Sequence, residues 1–304
     1  MKENIFISII IVTWNVENFI KKCLQSIIEQ SFKKYEVLVI DNHSTDKTKT
    51  ILKEQFSFVT LIENDHNVGF CAANNQGIDR ARGNYALCLN SDITLHPDFL
   101  RQLIIKIEKS SPSIGMYTGT VLTTKKEIYS TGISLTKSLR FKSDTLNKAD
   151  GMIVWGVNAA AALYSKKMLA DIKIGQEYFD NDFFFLVEDV DLSYRANLLG
   201  WKALYVKPAY CYHEGNCSCY PKKYRQYLSF RNRYYLLIKN QTLRDLIKRF
   251  FYMIPYDLIR AVYLIFTNKY FFKGIKDIII SLPKMLKKRE LIKQKILLKG
   301  DSKE

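Results

Sequence analysis

The chain has 304 residues, with 46 Lys and Arg against 30 Asp and Glu, a formal net charge of +16. Hydrophobic residues make up 47% and aromatic residues 13%, enough for a substantial core and too many for general disorder. Residues 1–220 hold 25 basic and 24 acidic side chains (net +1) and residues 221–304 hold 21 and 6 (net +15), which excludes a uniformly basic nucleic-acid coat.

Residues 5–12 are a β-branched run that reads as a buried strand, not a signal peptide, since no small-residue cleavage site follows. Residues 16–30 place Phe19, Cys23, Leu24 and Ile27 at helical spacing. Residues 36–40 form a second strand ending at Asp41-Asn42, with Ser44 as the expected N-cap of the helix after it. A third strand spans 59–62, a helix closed by Gly83 spans 70–82, and a fourth strand spans 85–89. Pro97 opens a helix over 98–109. This alternation predicts a doubly wound, mainly parallel α/β sheet with ligands beyond the carboxyl ends of its strands. Short strands follow at 116–123 and 159–164, around a polar segment, 137–150, expected to be a mobile loop. A helix over 189–199 buries Leu192, Ala196 and Leu199 and stops at Gly200, and strands at 203–206 and 210–213 finish the body.

No run reaches the 18 uninterrupted apolar residues of a membrane span. The six cysteines show no disulfide framework; Cys23, Cys71 and Cys88 read as core residues. Cys211, His213, Cys217 and Cys219 can be drawn as a zinc cluster, but the C-x-C spacing favours reduced thiols in a reducing compartment.

Four polar clusters fall at successive strand ends: Thr13-Trp14-Asn15, Asp41-Asn42, Asn67-x-Gly69 and Asn90-Ser91-Asp92. A single strand-end Asn or Asp is usually a turn former; four on one parallel sheet converge on one crevice. Neither a Walker A sequence nor a G-x-G-x-x-G follows the first strand, so a nucleotide bound there needs a metal ion to neutralise its diphosphate. Glu188-Asp189-x-Asp191 sets three carboxylates at a helix start. Complementing the helix dipole is one reading; mutual repulsion and burial raising one pKa toward a general base is the other.

These residues carry a resemblance. The run Ile9-Ile10-Ile11-Val12-Thr13-Trp14-Asn15, with Asp41-Asn42-x-Ser44-x-Asp46, Asn67-x-Gly69-Phe70-x-x-x-Asn74-Asn75-x-Gly77 and Leu89-Asn90-Ser91-Asp92, resembles the family 2 glycosyltransferases. Glu188-Asp189-Val190-Asp191-Leu192-x-x-Arg195, Gly200-Trp201 and His213 extend it over about 5–240, with the rhamnosyltransferase-type branch of bacterial surface-polysaccharide enzymes the most similar. The resemblance implies a GT-A fold over 1–220, with a nucleotide-binding half at 1–110 and an acceptor half at 111–220. It implies that Thr13, Asn15, Asp41, Asn42, Asn67, Gly69, Asn74, Asn90 and Asp92 bind a dTDP- or UDP-linked sugar. Asp92 and His213 would hold Mg²⁺ or Mn²⁺; Asn90 stands where relatives often have a first aspartate. Asp189 is expected as the base of a single inverting displacement, with Glu188 and Asp191 orienting it and Arg195. Trp155-Gly156 offers an acceptor platform, with core packing of Trp155 an equal alternative.

Residues 221–304 predict a basic, aromatic helical tail, in which Pro255 is expected to interrupt or restart a helix. Tyr224, Tyr227, Phe230, Arg231 and Arg233 interleave in a way that also suits single-stranded nucleic acid. The amphipathic runs beyond favour an anionic membrane surface instead, with a packed helical cap as the competing reading. The expectation is a peripheral enzyme at the cytoplasmic face of the membrane, acting on a polyprenyl-diphosphate-linked glycan, with no nucleic-acid partner. A sugar nucleotidyltransferase is the rival enzyme, but residues 13–17 are no triphosphate loop. A non-catalytic membrane or nucleic-acid adaptor would leave Asp41, Asp92, Asp189 and His213 without a purpose.

Overall fold

The computed structural model describes residues 6–215 and 220–301; Ile5, Cys217 and Cys219 of the readings above lie outside them. The first half alternates as expected: β1 (Ile7–Thr13), α1 (Ile20–Ile28), β2 (Tyr35–Asp41), α2 (Thr48–Gln55), β3 (Thr60–Glu63), α3 (Gly69–Arg80) and β4 (Tyr85–Asn90). Then come β5 (Ile93–Leu95), α4 (Phe99–Ile107), β6 (Ile114–Thr123), β7 (Ile128–Ser130), β8 (Ile133–Leu135), β9 (Phe141–Ser143), β10 (Ile153–Val154), β11 (Ala161–Ser165) and α5 (Lys166–Ile172). The body closes with α6 (Glu188–Leu198) and β12 (Lys202–His213), followed by α7 (Lys222–Asn240), α8 (Leu243–Thr267) and α9 (Phe271–Asp301).

One mixed sheet runs β10-β12-β6-β11-β4-β1-β2-β3. Strands β4, β1, β2 and β3 are parallel, and β11 lies antiparallel between β4 and β6. Side chains alternate across β1: Ile9 and Ile11 pack with α1 and α4, whereas Ile10 packs on the face covered by α3, α5 and α6. Cys23, Cys71, Cys88 and Cys211 are buried in these cores, and none forms a disulfide among the described residues.

Several local expectations change. Ser44 does not cap α2; its hydroxyl donates to Asp41 Oδ1 at 2.5 Å. The strands expected at 203–206 and 210–213 are one strand, β12, with a register shift between Tyr205 and Tyr210. The segment expected to be a mobile loop contains β9, paired with β8, and Leu139 is buried against Leu237 and Met253. Helix α8 continues through Pro255, which is exposed. The charge boundary at 220/221 does not mark a packing boundary. Helix α7 is embedded in the body, with Leu228, Phe230, Asn232, Arg233 and Leu236 buried.

A buried ion network makes that attachment. Lys239 of α7 lies 2.5 Å from Asp180 and 2.8 Å from Asp191, and Lys288 of α9 lies 2.5 Å from Asp180. Burial alone would raise the Asp180 pKa, yet the two ammonium groups hold it well below the carboxylate range.

Candidate active site

A cleft of about 460 Å³ opens at the carboxyl ends of the parallel strands. Asn42, Asn67, Asn90, Asp92, Glu188 and Asp189 of the expected site residues line it, as does His213.

Asp92 and His213 meet because β5 pairs antiparallel with the end of β12, putting Ile93 opposite His213. His213 Nε2 is 3.1 Å from Asp92 Oδ2. Asp92 Oδ1 is buried and has no hydrogen-bond partner among the described residues. A carboxylate and an imidazole, with one carboxylate oxygen unspent, fit Mg²⁺ or Mn²⁺ completed by substrate phosphates and water. No group of three or more His, Cys, Asp or Glu able to hold a metal exists among the described residues.

The acidic pair enters at the first turn of α6. Glu188 is buried, and its Oε2 has no hydrogen-bond partner among the described residues. Burial, then the nearby Asp189 and Asp191 charges, lifts its pKa well above the usual carboxylate range. Asp189 keeps an opening to the cleft and accepts the backbone N–H of Val190 at 2.8 Å and of Ala159 at 3.3 Å. Desolvation outweighs these bonds and pushes its pKa up to about 6. Burial, helped by the Asp92 and Asp189 carboxylates, also raises the Tyr129 phenol, whose ring stands 4.7 Å from His213.

Thr13, Asn15, Asp41, Gly69 and Asn74 of the expected residues do not line the cleft and are held, like the lining Asn42 and Asn67, by bonds within the protein. Asp41 accepts the hydroxyl of Thr13 (2.8 Å) and the N–H of Ser44 (2.8 Å), and it is fully buried. Asn15 accepts the backbone N–H of Thr45 at 2.8 Å, a turn-forming contact. Asn42 donates to the Gly69 carbonyl at 3.2 Å and accepts from Asn64 at 2.9 Å, which links two strand-end clusters. Asn67 accepts the Gly69 N–H and donates to the Tyr220 hydroxyl. Gly69 has φ +87°, and a Cβ there would meet the Phe184 ring at 2.4 Å, so its close contact is with a side chain of the protein. Asn74 is buried and bonds back to the Phe70 carbonyl within α3.

Four more expected residues, Asp191, Arg195, Trp155 and Gly156, do not line the cleft. Asp191 is fully buried and paired with Arg195 (2.9 Å) and Lys239, and Arg195 also donates to the Ile172 and Tyr178 carbonyls. Trp155 packs on Tyr194, and its carbonyl accepts from Asn197. Gly156 is the close approach to α6, where a Cβ would meet Ser193 at 2.6 Å. The cleft instead takes in Trp14, Tyr129, Asn158, Tyr220 and Arg225, none of them among the expected site residues. Arg225 Nε is buried without a hydrogen-bond partner among the described residues. The aromatic-basic run read within 221–240 spans Arg225 but not Tyr220.

Comparison with known proteins adds an independent line. Residues 8–173 match the family described as "Glycosyl transferase family 2". A Methanococcus voltae dolichyl N-acetyl-alpha-D-glucosaminyl phosphate 3-beta-D-2,3-diacetamido-2,3-dideoxy-beta-D-glucuronosyltransferase is 30% identical over 223 residues, 67% of this chain and 64% of its own length. The chain spans less than two thirds of the curated relatives it matches first. Among solved structures, Staphylococcus aureus TarS 1-349 in complex with UDP-GlcNAc superposes with a TM-score of 0.59 at 19% identity, over 97% of this chain and 89% of TarS. GalNAc-T7 with UDP, GalNAc and Mn2+ superposes with a TM-score of 0.63 at 16% identity, over 79% of this chain and 48% of its own. At these identities the structural likeness is one of fold.

Proposed function

We infer from one premise, that the chain belongs to glycosyl transferase family 2 and has the GT-A fold, that it moves a sugar from a UDP- or dTDP-linked donor to a hydroxyl of a glycan acceptor. The observation that carries this reading is the joint presence, in one strand-end cleft, of the Asp92–His213 pair and the perturbed Glu188–Asp189 pair. Asn42 and Trp14 line the nucleotide side of that cleft in the proposed pose, beside β1 and β2. Asp92 and His213 would hold a divalent ion, which supplies charge neutralisation for the donor diphosphate when bound.

Asp189 is the proposed base. It takes the proton from the acceptor hydroxyl as that oxygen forms its bond to the anomeric carbon, and the bond to the diphosphate oxygen breaks with its electron pair leaving on the nucleoside diphosphate. A single displacement of this kind inverts the anomeric configuration. Burial and the neighbouring carboxylates raise the Glu188 pKa and favour its protonated form beside Asp189. Asp191 and Arg195, buried in their own ion pair, orient α6 and take no part in the chemistry.

The proposed acceptor is a lipid-linked glycan, in a pathway to a surface polysaccharide, and the proposed location is the cytoplasmic face of the membrane. The resemblance between this chain and a glucuronosyltransferase named for a dolichyl N-acetyl-alpha-D-glucosaminyl phosphate supports that class, and the surface of α8 supports the place. By length and composition helix α8 could cross a membrane, although Asp257 and Arg260 keep its apolar run short of 18 uninterrupted residues, as expected. Its interrupting charges turn inward: Asp257 pairs with Arg233 at 2.7 Å and Arg260 donates to Ser229 at 3.1 Å. Outward it exposes Ile247, Phe251, Leu258, Val262 and Phe266, with Arg244 and Lys248 beside them. A helix tied to the body along its length lies on a bilayer more readily than it crosses one. Anionic lipid adds about 1 kcal/mol for each nearby Lys or Arg, and these contacts suit a peripheral enzyme.

The test is a panel of UDP- and dTDP-sugars incubated with the protein, Mn²⁺ and a polyprenyl-lipid extract. Transfer of one sugar to lipid with inverted anomeric configuration by NMR supports the reading; no release of UDP or dTDP from any donor overturns it.

A further inference from the structure

The segment that delivers Glu188 and Asp189 to the cleft is strained and is held from outside. Phe184, Leu186 and Val187 have φ of 65°, 70° and 76°, a region that bulky and β-branched residues rarely enter. Strain of this kind persists only where surrounding contacts over-determine it. Here the contacts come from two adjacent residues of α7. Asn232 Nδ2 lies 2.9, 2.9 and 2.7 Å from the carbonyl oxygens of Phe183, Phe185 and Leu186. Arg231 Nη2 donates to the carbonyls of Asp182 (2.9 Å) and Phe183 (3.0 Å). Arg231 Nε donates to Asn232 Oδ1 at 2.9 Å, which turns the amide so that its nitrogen faces the strained segment.

This unit is itself fixed. Asn232 is fully buried, and the Arg231 guanidinium sits 5.5 and 5.0 Å from the Tyr227 and Tyr235 rings. On the far side, the Phe184 carbonyl accepts the Cys71 N–H at 3.2 Å and the Phe184 ring covers Gly69. The segment 183–187 is therefore clamped between α3 and α7, with Phe185, Leu186, Val187, Glu188 and Asp189 lining the cleft directly after the clamp.

We propose that Arg231 and Asn232 are positioning residues for the acidic pair: their donors hold 183–187 in its left-handed turns so that Glu188 and Asp189 enter the cleft at the start of α6. The inference rests on the glycosyl-transfer reading of that cleft. It extends the working parts of the site to α7, outside the residues 8–173 matched by the family.

The experiment uses full-length Asn232→Leu and Arg231→Met proteins, with Tyr235→Phe as the control that keeps the ring beside Arg231. Three quantities are read: turnover of the donor that wild type uses fastest, UDP affinity with Mn²⁺ by calorimetry, and amide hydrogen exchange over 183–189. The proposal expects kcat to fall at least about tenfold, the scale of a small misplacement of a catalytic group, with UDP affinity within about twofold of wild type. Exchange over 183–189 quickens at least about tenfold while β1 stays protected, as local rather than global opening requires; Tyr235→Phe matches wild type throughout. Wild-type kcat and exchange in both variants overturn the proposal. So does a parallel fall of kcat, UDP affinity and protection across the chain, which marks a purely structural role. If Asn232→Leu does not fold, Arg231→Met, which keeps the amide, decides alone. A wild-type protein that neither binds UDP nor turns over any donor overturns the glycosyl-transfer reading instead, and the clamp falls with it.

Discussion

Asp92 and His213, 121 positions apart in the sequence, come within 3.1 Å of each other because β5 pairs antiparallel with the end of β12. The partnership leaves one buried Asp92 oxygen without a hydrogen-bond partner among the described residues. An unspent buried carboxylate oxygen is costly unless a cation or donor arrives, which supports the metal role proposed for the pair.

Asp92→Asn and His213→Ala should therefore each weaken Mn²⁺-dependent UDP binding at least about tenfold, in line with loss of one of two protein ligands. Melting temperature should stay within a few degrees of wild type. Calorimetry with UDP, with and without Mn²⁺, checks both, and equal UDP affinity with and without the metal in wild type would contradict the assignment.

The raised carboxyl at Asp189 has a stability consequence of definite sign. A group whose folded pKa lies near 6 instead of the ordinary 3.8 favours folding in its protonated form, so its support is lost as pH rises through about 6. Asp189→Asn, always neutral, should be more stable than wild type at pH 7.5 by about 1–3 kcal/mol. That advantage should shrink below pH 6 and vanish below about pH 4. Urea denaturation at both pH values measures it.

Lys239 lies between two buried carboxylates, Asp180 and Asp191, at 2.5 and 2.8 Å. Lys239→Met strands part of that charge, and breaking a buried ion pair from one side costs about 3–5 kcal/mol. Denaturation midpoints should fall accordingly, whereas a change under 1 kcal/mol would mean the network is better solvated than its burial suggests.

Membrane docking through α8 predicts flotation with anionic liposomes at low salt and release at high salt. Phe251→Glu with Phe266→Glu should abolish flotation, since each phenyl ring contributes about 1.5–3 kcal/mol when buried and both are more than four-fifths exposed here. Flotation that survives the double substitution would move the contact elsewhere.

Much of this site was legible in linear sequence, and the reasons it was not wholly so are geometric. Strand-end clusters announce themselves because alternation sets the strands and each loop follows its own strand; Asn42, Asn67, Asn90 and Asp92 were found that way. Glu188-Asp189 stood out as acids in a first turn. Asp191 looked like a third member, but two helical steps rotate a side chain by about 200°, which turns it from the cleft onto Lys239 and Arg195. Tyr129, Asn158 and Arg225 reach the cleft from a β-insertion, a loop and a C-terminal helix, and nothing in their local sequence records where the chain folds back. On α8 the charges that broke up the apolar run turned out to face the body, which only tertiary packing decides.

The central claim is that Asp189 is the base in this cleft, and its most direct test is turnover by Asp189→Asn with the best donor and lipid acceptor. The account predicts a loss of about 10²–10⁴-fold in kcat, the usual contribution of a general base, with UDP and Mn²⁺ binding retained. It also predicts a wild-type rate that rises with pH through about 6. Near-normal turnover by Asp189→Asn would contradict it.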